Sequence, residues 1–169
     1  DNGSDVINAV AASDTAKPGA ASSNNGIIYS ADATYPVADY EVSATIVAGF
    51  TGTNRGYLIL RMADQENMYA LRFTTGGSST RMYKKVSGTW TALGSFKTDP
   101  AVGNVVRIRA VGSTLQYFYD NILQDTQTDS SLTSAGKAGV AMGGGAELAA
   151  STDDIGTTNE LDDFQVTTI

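Results

Sequence analysis

Residues 105–120 read VVRIRAVGSTLQYFYD, and this stretch decides the fold class. Apolar and charged residues alternate along VVRIRAV, so that Arg107 and Arg109 share one side and the apolar residues share the other. Such a period of two indicates a half-buried β-strand. The dipeptide Gly112-Ser113 separates this run from TLQYFYD, as in a two-residue hairpin. The stretch therefore predicts two antiparallel strands with one face in a core.

Short strand-like runs with turn signals between them continue along most of the chain. Two further hairpins are indicated by TTGGSS and by Ser87-Gly88. We expect about ten to twelve short strands and no amphipathic helix, which is typical of an antiparallel sandwich or jelly roll. The expected core includes apolar residues from three of the runs: Leu58, Leu60, Tyr69, Leu71, Phe73, Leu115 and Tyr117.

The chain divides into two parts of different composition. Residues 1–26 are rich in Ala, Ser, Asn and Gly, and only VINAV within them could form a first strand, which predicts an extended N-terminal arm. Residues 27–169 are expected to form a lectin-like β-sandwich. The sequence begins at Asp1 without an initiator Met or a signal peptide, so we expect a chain that was processed or cut from a longer one.

The overall charge and the missing residue types exclude several functions. The 169 residues include 18 acidic and 11 basic side chains, and the net charge of −7 disfavours nucleic acid and anionic membranes as partners. No apolar run is long enough to insert into a membrane. Cysteine and histidine are both absent, which excludes thiolate chemistry, histidine-based triads and the usual zinc sites. Calcium, which binds oxygen ligands, is still allowed.

Six segments follow one another in a distinctive order: ADYEVSATI, GYLILRMADQENMYALRF, RMYKKVSGTWTALGSF, GNVVRIRAVGSTLQYFYDN, SAGKAGVAM and LDDFQV. From Ala38 to Val166 this ordered set resembles the concanavalin A-like lectin/glucanase superfamily, in its laminin-G-like branch. The resemblance implies an all-β fold, an antiparallel two-sheet jelly-roll sandwich. Domains of this kind occur in bacterial surface proteins, in carbohydrate-active enzymes and on phage virions.

Catalytic carboxylates are the feature that separates the glucanases of this superfamily from its binding modules. Glycoside hydrolysis needs a pair of carboxyl groups at a set separation, and the resemblance implies a Glu-x-Asp-x-x-Glu pattern on one strand. Glu160 and Asp162 match two of its positions, but Val166 and its neighbours supply no third carboxylate. We therefore expect a protein that is not an enzyme, with glycoside hydrolase activity as an outlying alternative.

Four side chains are candidates for holding a sugar: Trp90, Arg61, Arg107 and Arg109. An aromatic ring stacks on the C–H face of a sugar, and the guanidinium fork binds pairs of hydroxyls. The three arginines alternate with apolar neighbours, so we expect them on the wet face of a sheet. In the alternative interpretation the arginines are ordinary solvated residues of that face, and Trp90 is partly buried core next to a turn.

The last strand, ELDDFQVTTI, raises a question about one carboxylate. Strict alternation places Asp162 on the same inward side as Phe164 and Val166, where an unpaired charge is costly. Either Asp162 accepts backbone N–H groups or pairs with an arginine, or it binds a structural calcium. The resemblance implies calcium near the terminal strand, and Asp153 and Asp154 could supply further oxygens.

These features predict a non-catalytic, lectin-like module displayed on an extracellular or virion surface. The first hypothesis is glycan binding or adhesion, as part of a phage virion or a bacterial surface protein. The alternative is a structural decoration or interaction domain that contacts a neighbouring surface or capsid protein. A homo-oligomer is compatible with both hypotheses, whereas nucleic acid is not an expected partner.

Overall fold

The computed structural model describes residues 27–30, 37–52, 54–144 and 160–169. All regular secondary structure in these ranges is β-strand, as the sequence predicts. The described residues contain no helix long and apolar enough to cross a membrane. The arm expected over residues 1–26 lies outside the described residues. The eleven strands are β1 (Ile27–Ser30), β2 (Tyr40–Ala48), β3 (Asn54–Asp64), β4 (Asn67–Phe73), β5 (Thr80–Val86), β6 (Thr89–Lys97), β7 (Val105–Val111), β8 (Thr114–Tyr119), β9 (Ile122–Thr128), β10 (Lys137–Gly144) and β11 (Glu160–Thr168).

The strands form two antiparallel sheets that pack face to face. The six-stranded sheet has the order β1-β10-β3-β4-β5-β6, and the five-stranded sheet has the order β11-β2-β7-β8-β9. Strands that are distant in sequence lie side by side, such as β10 next to β3 and β11 next to β2. Crossovers of this kind are typical of a jelly roll, so the predicted fold class is confirmed.

Two of the predicted hairpins depend on residues with a left-handed backbone. Ser87 and Gly88 join β5 to β6 with φ of 48° and 80°, the type I′ geometry that matches the twist of the paired strands. Gly112, with φ of 54°, begins the turn from β7 to β8, and Ser113 completes it. Local turn chemistry therefore fixes the register of both hairpins.

The main core fills the space between the two sheets. It contains all seven residues predicted for it, and each of them is completely buried: Leu58, Leu60, Tyr69, Leu71, Phe73, Leu115 and Tyr117. Full burial of a large apolar side chain contributes roughly 1.5–3 kcal/mol to stability. The residues that alternate with these seven point to the two outer faces of the sandwich.

The pairing of the terminal strand β11 with β2 is irregular. Asp162 lies opposite Thr45, but the next regular pair joins Gln165 to Ser43. Three steps along β11 therefore match two steps along β2, which is the mark of a β-bulge with one extra residue. Asp163 lies inside the bulge and has a positive φ of 50°.

This bulge answers the question about Asp162. Directly opposite residues share one side of a sheet, and Thr45 alternates with core residues, so Asp162 points outward with it. After the bulge the alternation is reversed, and Phe164 and Val166 pack against the core. The prediction of an inward Asp162 is therefore wrong. Its carboxylate is half-buried and accepts the backbone N–H of Asp163 at 2.8 Å.

Candidate functional site

The outer face of the six-stranded sheet has an apolar floor. A second cluster of buried residues lies there, with Trp90 packed against it: Tyr57, Ile59, Met62, Met68, Ala70 and Ala141. Along β3 and β4 several of these residues alternate with residues of the main core, so they point away from the space between the sheets. A solvated sheet face normally carries polar side chains. The apolar floor therefore makes this face the first place to look for a ligand.

The strand register brings cations and rings together on this face. Arg72 of β4 lies opposite Arg81 of β5, and Lys85 of β5 lies opposite Trp90 of β6. Tyr83 stands between Arg81 and Lys85 in the alternation of β5. The three side chains from β5 consequently share the outer side.

Both arginines lie over the same two aromatic rings. The guanidinium carbon of Arg81 is 4.9 Å from the ring centroid of Phe96 and 5.9 Å from that of Tyr83. The guanidinium carbon of Arg72 is 5.0 Å from the centroid of Tyr83 and 5.5 Å from that of Phe96. These are cation–π distances, and each such contact contributes about 0.5–1 kcal/mol at an accessible site.

Trp90 extends this group along the sheet. Its ring meets Tyr83 edge-to-face, with centroids 6.3 Å apart and planes at 86°. The Nζ atom of Lys85 lies 5.8 Å from the centroid of the Trp90 ring. We call the whole set the aromatic–arginine face, and its members are Arg72, Arg81, Tyr83, Lys85, Trp90 and Phe96.

Part of the aromatic–arginine face is open to solvent. Phe96 is 51% exposed, and Arg81, Lys85 and Trp90 are half-buried, whereas Tyr83 is buried beneath them. An accessible ring beside a fork of N–H donors suits a sugar, because the ring stacks on C–H groups while the donors bind hydroxyls. The accessible part of the face can therefore contact both kinds of sugar surface at once.

A polar cleft of about 280 Å³ adjoins this face at the turn from β4 to β5. Its polar lining combines one cation, one carboxylate and four hydroxyls, which come from Arg55, Asp99, Thr74, Thr75, Ser78 and Ser79. Arg72 connects the cleft to the aromatic–arginine face, because its guanidinium donates to the carbonyl oxygen of Ser79 at 3.2 Å. Face and cleft therefore meet at Arg72.

Asp99 anchors the wall of this cleft. Its Oδ1 atom accepts the backbone N–H of Ser79 and the hydroxyl of Thr80, both at 2.8 Å, and its Oδ2 atom accepts the hydroxyl of Thr74. Burial alone would raise the pKa of Asp99, but these hydrogen bonds outweigh burial and hold the pKa below its usual range. Asp99 therefore stays ionised and holds the loop in place.

Arg61, one of the predicted ligand residues, lies in the interior. It is 1% exposed, and its guanidinium donates to the carbonyl oxygens of Ala38 at 2.8 Å, Gly112 at 2.7 Å and Leu132 at 3.1 Å. It also pairs with the carboxylate of Asp39 at 3.1 Å. The alternation is broken here because β3 slips in register and Arg61 itself has a positive φ of 50°. This placement removes Arg61 from the candidate ligand site.

Arg107 and Arg109 lie on the outer face of the five-stranded sheet, where the alternation predicts them. The guanidinium of Arg107 pairs with Glu41 at 3.3 Å and lies 4.3 Å from the ring centroid of Phe118. This outer face is on the opposite side of the sandwich from Trp90. The two arginines and Trp90 consequently cannot hold one small ligand together.

The sequence analysis missed the residues that do accompany Trp90. Alternation along TRMYKKV already places Arg81, Tyr83 and Lys85 on one side, and the following hairpin sets Lys85 opposite Trp90. That local signal was enough to find them. Alternation along β6 also places Phe96 on the side of Trp90, and the register shift between them adds two residues, so it leaves that side unchanged.

Of the three predicted calcium ligands, the structure describes only Asp162. In the described ranges, no group of three or more acidic side chains could hold a metal ion. Asp153 and Asp154 lie outside those ranges. Calcium binding by Asp162 together with these two residues therefore stays a prediction.

Several solved structures share this arrangement of sheets. A carbohydrate-binding module, CBM66, from Bacillus subtilis has a TM-score of 0.66 and 16% identity, with 86% of this chain and 83% of that chain covered. Sheep galectin-11 in complex with glycerol has a TM-score of 0.51 and 14% identity, with 85% and 98% covered. A β-glucanase from Bacillus licheniformis has a TM-score of 0.57 and 12% identity, with 84% and 71% covered.

These likenesses define the class of fold. The chain is a concanavalin A-like jelly-roll sandwich, as the resemblance in its sequence predicts. The likenesses do not single out the laminin-G-like branch. The sequence matches no protein-family model and no curated protein sequence.

Proposed function

We propose that this chain is a non-catalytic carbohydrate-binding module that holds its glycan on the aromatic–arginine face. The observation that carries the proposal is the exposed ring of Phe96 beside the guanidinium of Arg81, on the surface where Trp90 meets Tyr83. Rings stack on the apolar face of a sugar, and arginine forks bind its hydroxyls. The likeness of the fold to a carbohydrate-binding module and to a galectin supports the proposal.

The carboxylates beside the face favour binding over hydrolysis. A glycosidase needs one carboxyl group with a raised pKa to protonate the leaving group and a second carboxylate near it. The pKa of Asp99 is lowered instead, because its oxygens accept several hydrogen bonds. Glu66, a second carboxylate beside the face, forms an ion pair with Lys85 at 3.4 Å. Since a β-glucanase also has this fold, hydrolysis is the alternative that an activity assay has to test.

We place the module on an extracellular or virion surface, as part of a phage virion or a bacterial surface protein. Polysaccharides coat the outside of cells, so a module that binds them meets its ligand there. In this proposal the aromatic–arginine face binds such a polysaccharide coat, and the module acts in adhesion.

A structural role in an assembly is the second candidate, and the outer face of the five-stranded sheet favours it. Val105, Val111 and Leu123 are exposed there, at 42%, 37% and 48%. They share this face with the ion pair of Arg107 and Glu41. Apolar residues mixed with a few charges are typical of a protein–protein contact. The partner in this case is a neighbouring surface or capsid protein, or a second copy of the chain.

A glycan array followed by calorimetry tests the proposed function. We expect the wild type to bind at least one glycan, and Trp90→Ala to weaken that binding. The double variant Arg107→Ser/Arg109→Ser is the matched control, because it changes the opposite face. If the control loses binding and Trp90→Ala does not, the site lies on the five-stranded sheet instead.

Two further measurements separate the alternatives. An assay for released reducing sugar on the bound glycan tests hydrolysis, and product formation would contradict the non-catalytic role. A mass measurement in solution tests the structural role. A stable oligomer combined with no binding on the array would favour the second candidate over the first.

A further inference from the structure

Positive charge is concentrated around the aromatic–arginine face of a chain that is acidic overall. The net charge is −7, with only 11 basic residues. Four of these, Arg55, Arg72, Arg81 and Lys85, lie on the outer side of the six-stranded sheet or in the adjoining cleft. Arg72 and Arg81 even share the same two aromatic rings. Such crowding of like charges costs free energy unless an anion offsets it.

Arg55 extends this positive charge into the cleft. It lines the cleft beside the hydroxyls of Thr75 and Ser78, and one of its Nη atoms donates to the carbonyl oxygen of Gly52 at 2.6 Å. Burial and the positive charge of Arg72 both lower the pKa of Arg55. Both effects disfavour the charged form of Arg55, the charge of Asp99 offsets them only in part, and a bound anion would act in the same direction as Asp99.

The nearby carboxylates offset only part of the positive charge of Arg55, Arg72, Arg81 and Lys85. Glu66 pairs with Lys85 at 3.4 Å, and the oxygens of Asp99 are occupied by hydrogen bonds from its own loop. Within the described part of the chain, neither Arg55 nor Arg81 forms an ion pair. Two guanidinium groups thus remain for an external anion.

We propose that the glycan held on the aromatic–arginine face is anionic. Its carboxylate or sulfate groups bind at Arg81 and at Arg55, on either side of Arg72, while a sugar ring stacks on Phe96. A guanidinium fork matches the paired oxygens of a carboxylate or a sulfate, and a charge-assisted hydrogen bond is stronger than one to a hydroxyl. This inference rests on the proposed function of the face and adds the chemical class of its ligand.

Calorimetric titration with four soluble polymers tests the charge of the ligand. Polygalacturonate offers carboxylates on sugar rings, dextran sulfate offers sulfates, dextran offers uncharged sugars, and polyglutamate offers carboxylates without sugars. We expect one of the two acidic polysaccharides to bind at least about tenfold more tightly than dextran or polyglutamate. Raising the salt from about 50 to about 500 mM should weaken this binding, because salt screens the charges.

Variants of the arginines test the position of the anion. Arg81→Gln and Arg55→Gln should each weaken binding of the acidic polysaccharide about tenfold or more, and Arg109→Gln on the opposite face is the control. Melting temperatures of all variants show that they fold. Because Arg81 and Arg55 lie on different strands, one variant suffices for the test if the other does not fold.

The outcomes that overturn the inference are distinct from those that overturn the proposed function. Equal affinity for dextran, or full affinity in both Arg81→Gln and Arg55→Gln, overturns the anionic ligand and leaves carbohydrate binding intact. Polyglutamate that binds as tightly as the acidic polysaccharides overturns it too, since sugar is then not needed. A protein that binds none of these polymers and no glycan on the array contradicts both proposals.

Discussion

The guanidinium carbon of Arg81 lies 4.9 Å from the centre of the Phe96 ring, on the outer face of the six-stranded sheet. Phe96 is 51% exposed, although phenylalanine is among the residues most often buried. The ring therefore contributes little to the core, and its neighbour is a charged donor. The proposed glycan site gives this exposed ring a role that does not depend on the core.

This placement predicts different effects of Phe96→Ala on binding and on stability. The free energy of unfolding should change by less than about 0.5 kcal/mol, as for other exposed positions. Affinity for the glycan should fall about threefold to tenfold, because a stacking partner is lost. Denaturant titration and calorimetry measure the two effects. Leu123→Ala, at a residue 48% exposed on the other sheet, is the control and should change neither.

Sequence reasoning succeeded wherever local chemistry decides the structure. Alternation predicts the strands, and turn residues such as Ser87-Gly88 and Gly112 predict the hairpins, because both signals act over a few neighbouring residues. The seven predicted core residues are buried for the same reason. The sandwich follows from these elements, since each strand has one apolar side to bury.

The errors at the candidate sites share one physical cause. Arg61 and Asp162 both lie where a strand slips by one residue against its partner. A slip of one residue moves the following side chains to the other face. Slips depend on contacts between strands that are distant in sequence, so alternation within one strand cannot reveal them. The outward Asp162 and the interior Arg61 therefore became visible only in the folded chain.

Arg61 is expected to be one of the most sensitive positions for stability. Its buried guanidinium donates to three carbonyl oxygens and to the half-exposed carboxylate of Asp39, so Arg61→Met removes four hydrogen bonds and leaves part-buried acceptors without this donor. We expect a loss of about 2–4 kcal/mol in the free energy of unfolding. Arg61→Lys should not restore it, because an ammonium group cannot reproduce the planar fork.

Denaturant unfolding of both variants checks this prediction about Arg61. The matched control is Arg109→Met, which removes an arginine from an outer face and should cost less than about 0.5 kcal/mol. An equal, small cost at both positions would contradict the interior role of Arg61.

The hydrogen bonds of Asp129 predict how the free energy of unfolding changes at low pH. It accepts hydrogen bonds from Nζ of Lys84 at 2.6 Å and from the hydroxyl of Tyr69 at 2.7 Å. Burial alone would raise the pKa of Asp129, but these bonds outweigh burial and hold the pKa well below its usual range. The unfolded pKa is about 3.9. The contribution of Asp129 is therefore present above about pH 4 and is lost as the pH falls towards the folded pKa.

The variant Lys84→Met tests this acid dependence. Without Lys84 the folded pKa of Asp129 moves closer to the unfolded value, so stability should change less between about pH 6 and about pH 3. Denaturant titrations at the two pH values measure the difference. Lys97→Met, which removes a more exposed lysine paired with Asp125 at 3.6 Å, is the control. Identical pH dependence in Lys84→Met and the wild type would refute the assignment.

The last prediction concerns calcium at the terminal strand. Asp162 points outward and is half-buried, so it does not need a cation to compensate for burial, yet its second oxygen can still ligate one. If Asp162 binds calcium together with Asp153 and Asp154, added calcium raises the melting temperature and EDTA lowers it, because the ion binds only the folded chain. Asp162→Asn abolishes this response, whereas Asp64→Asn, at the turn from β3 to β4 in the other sheet, retains it. A melting temperature that responds to neither calcium nor EDTA rules the site out.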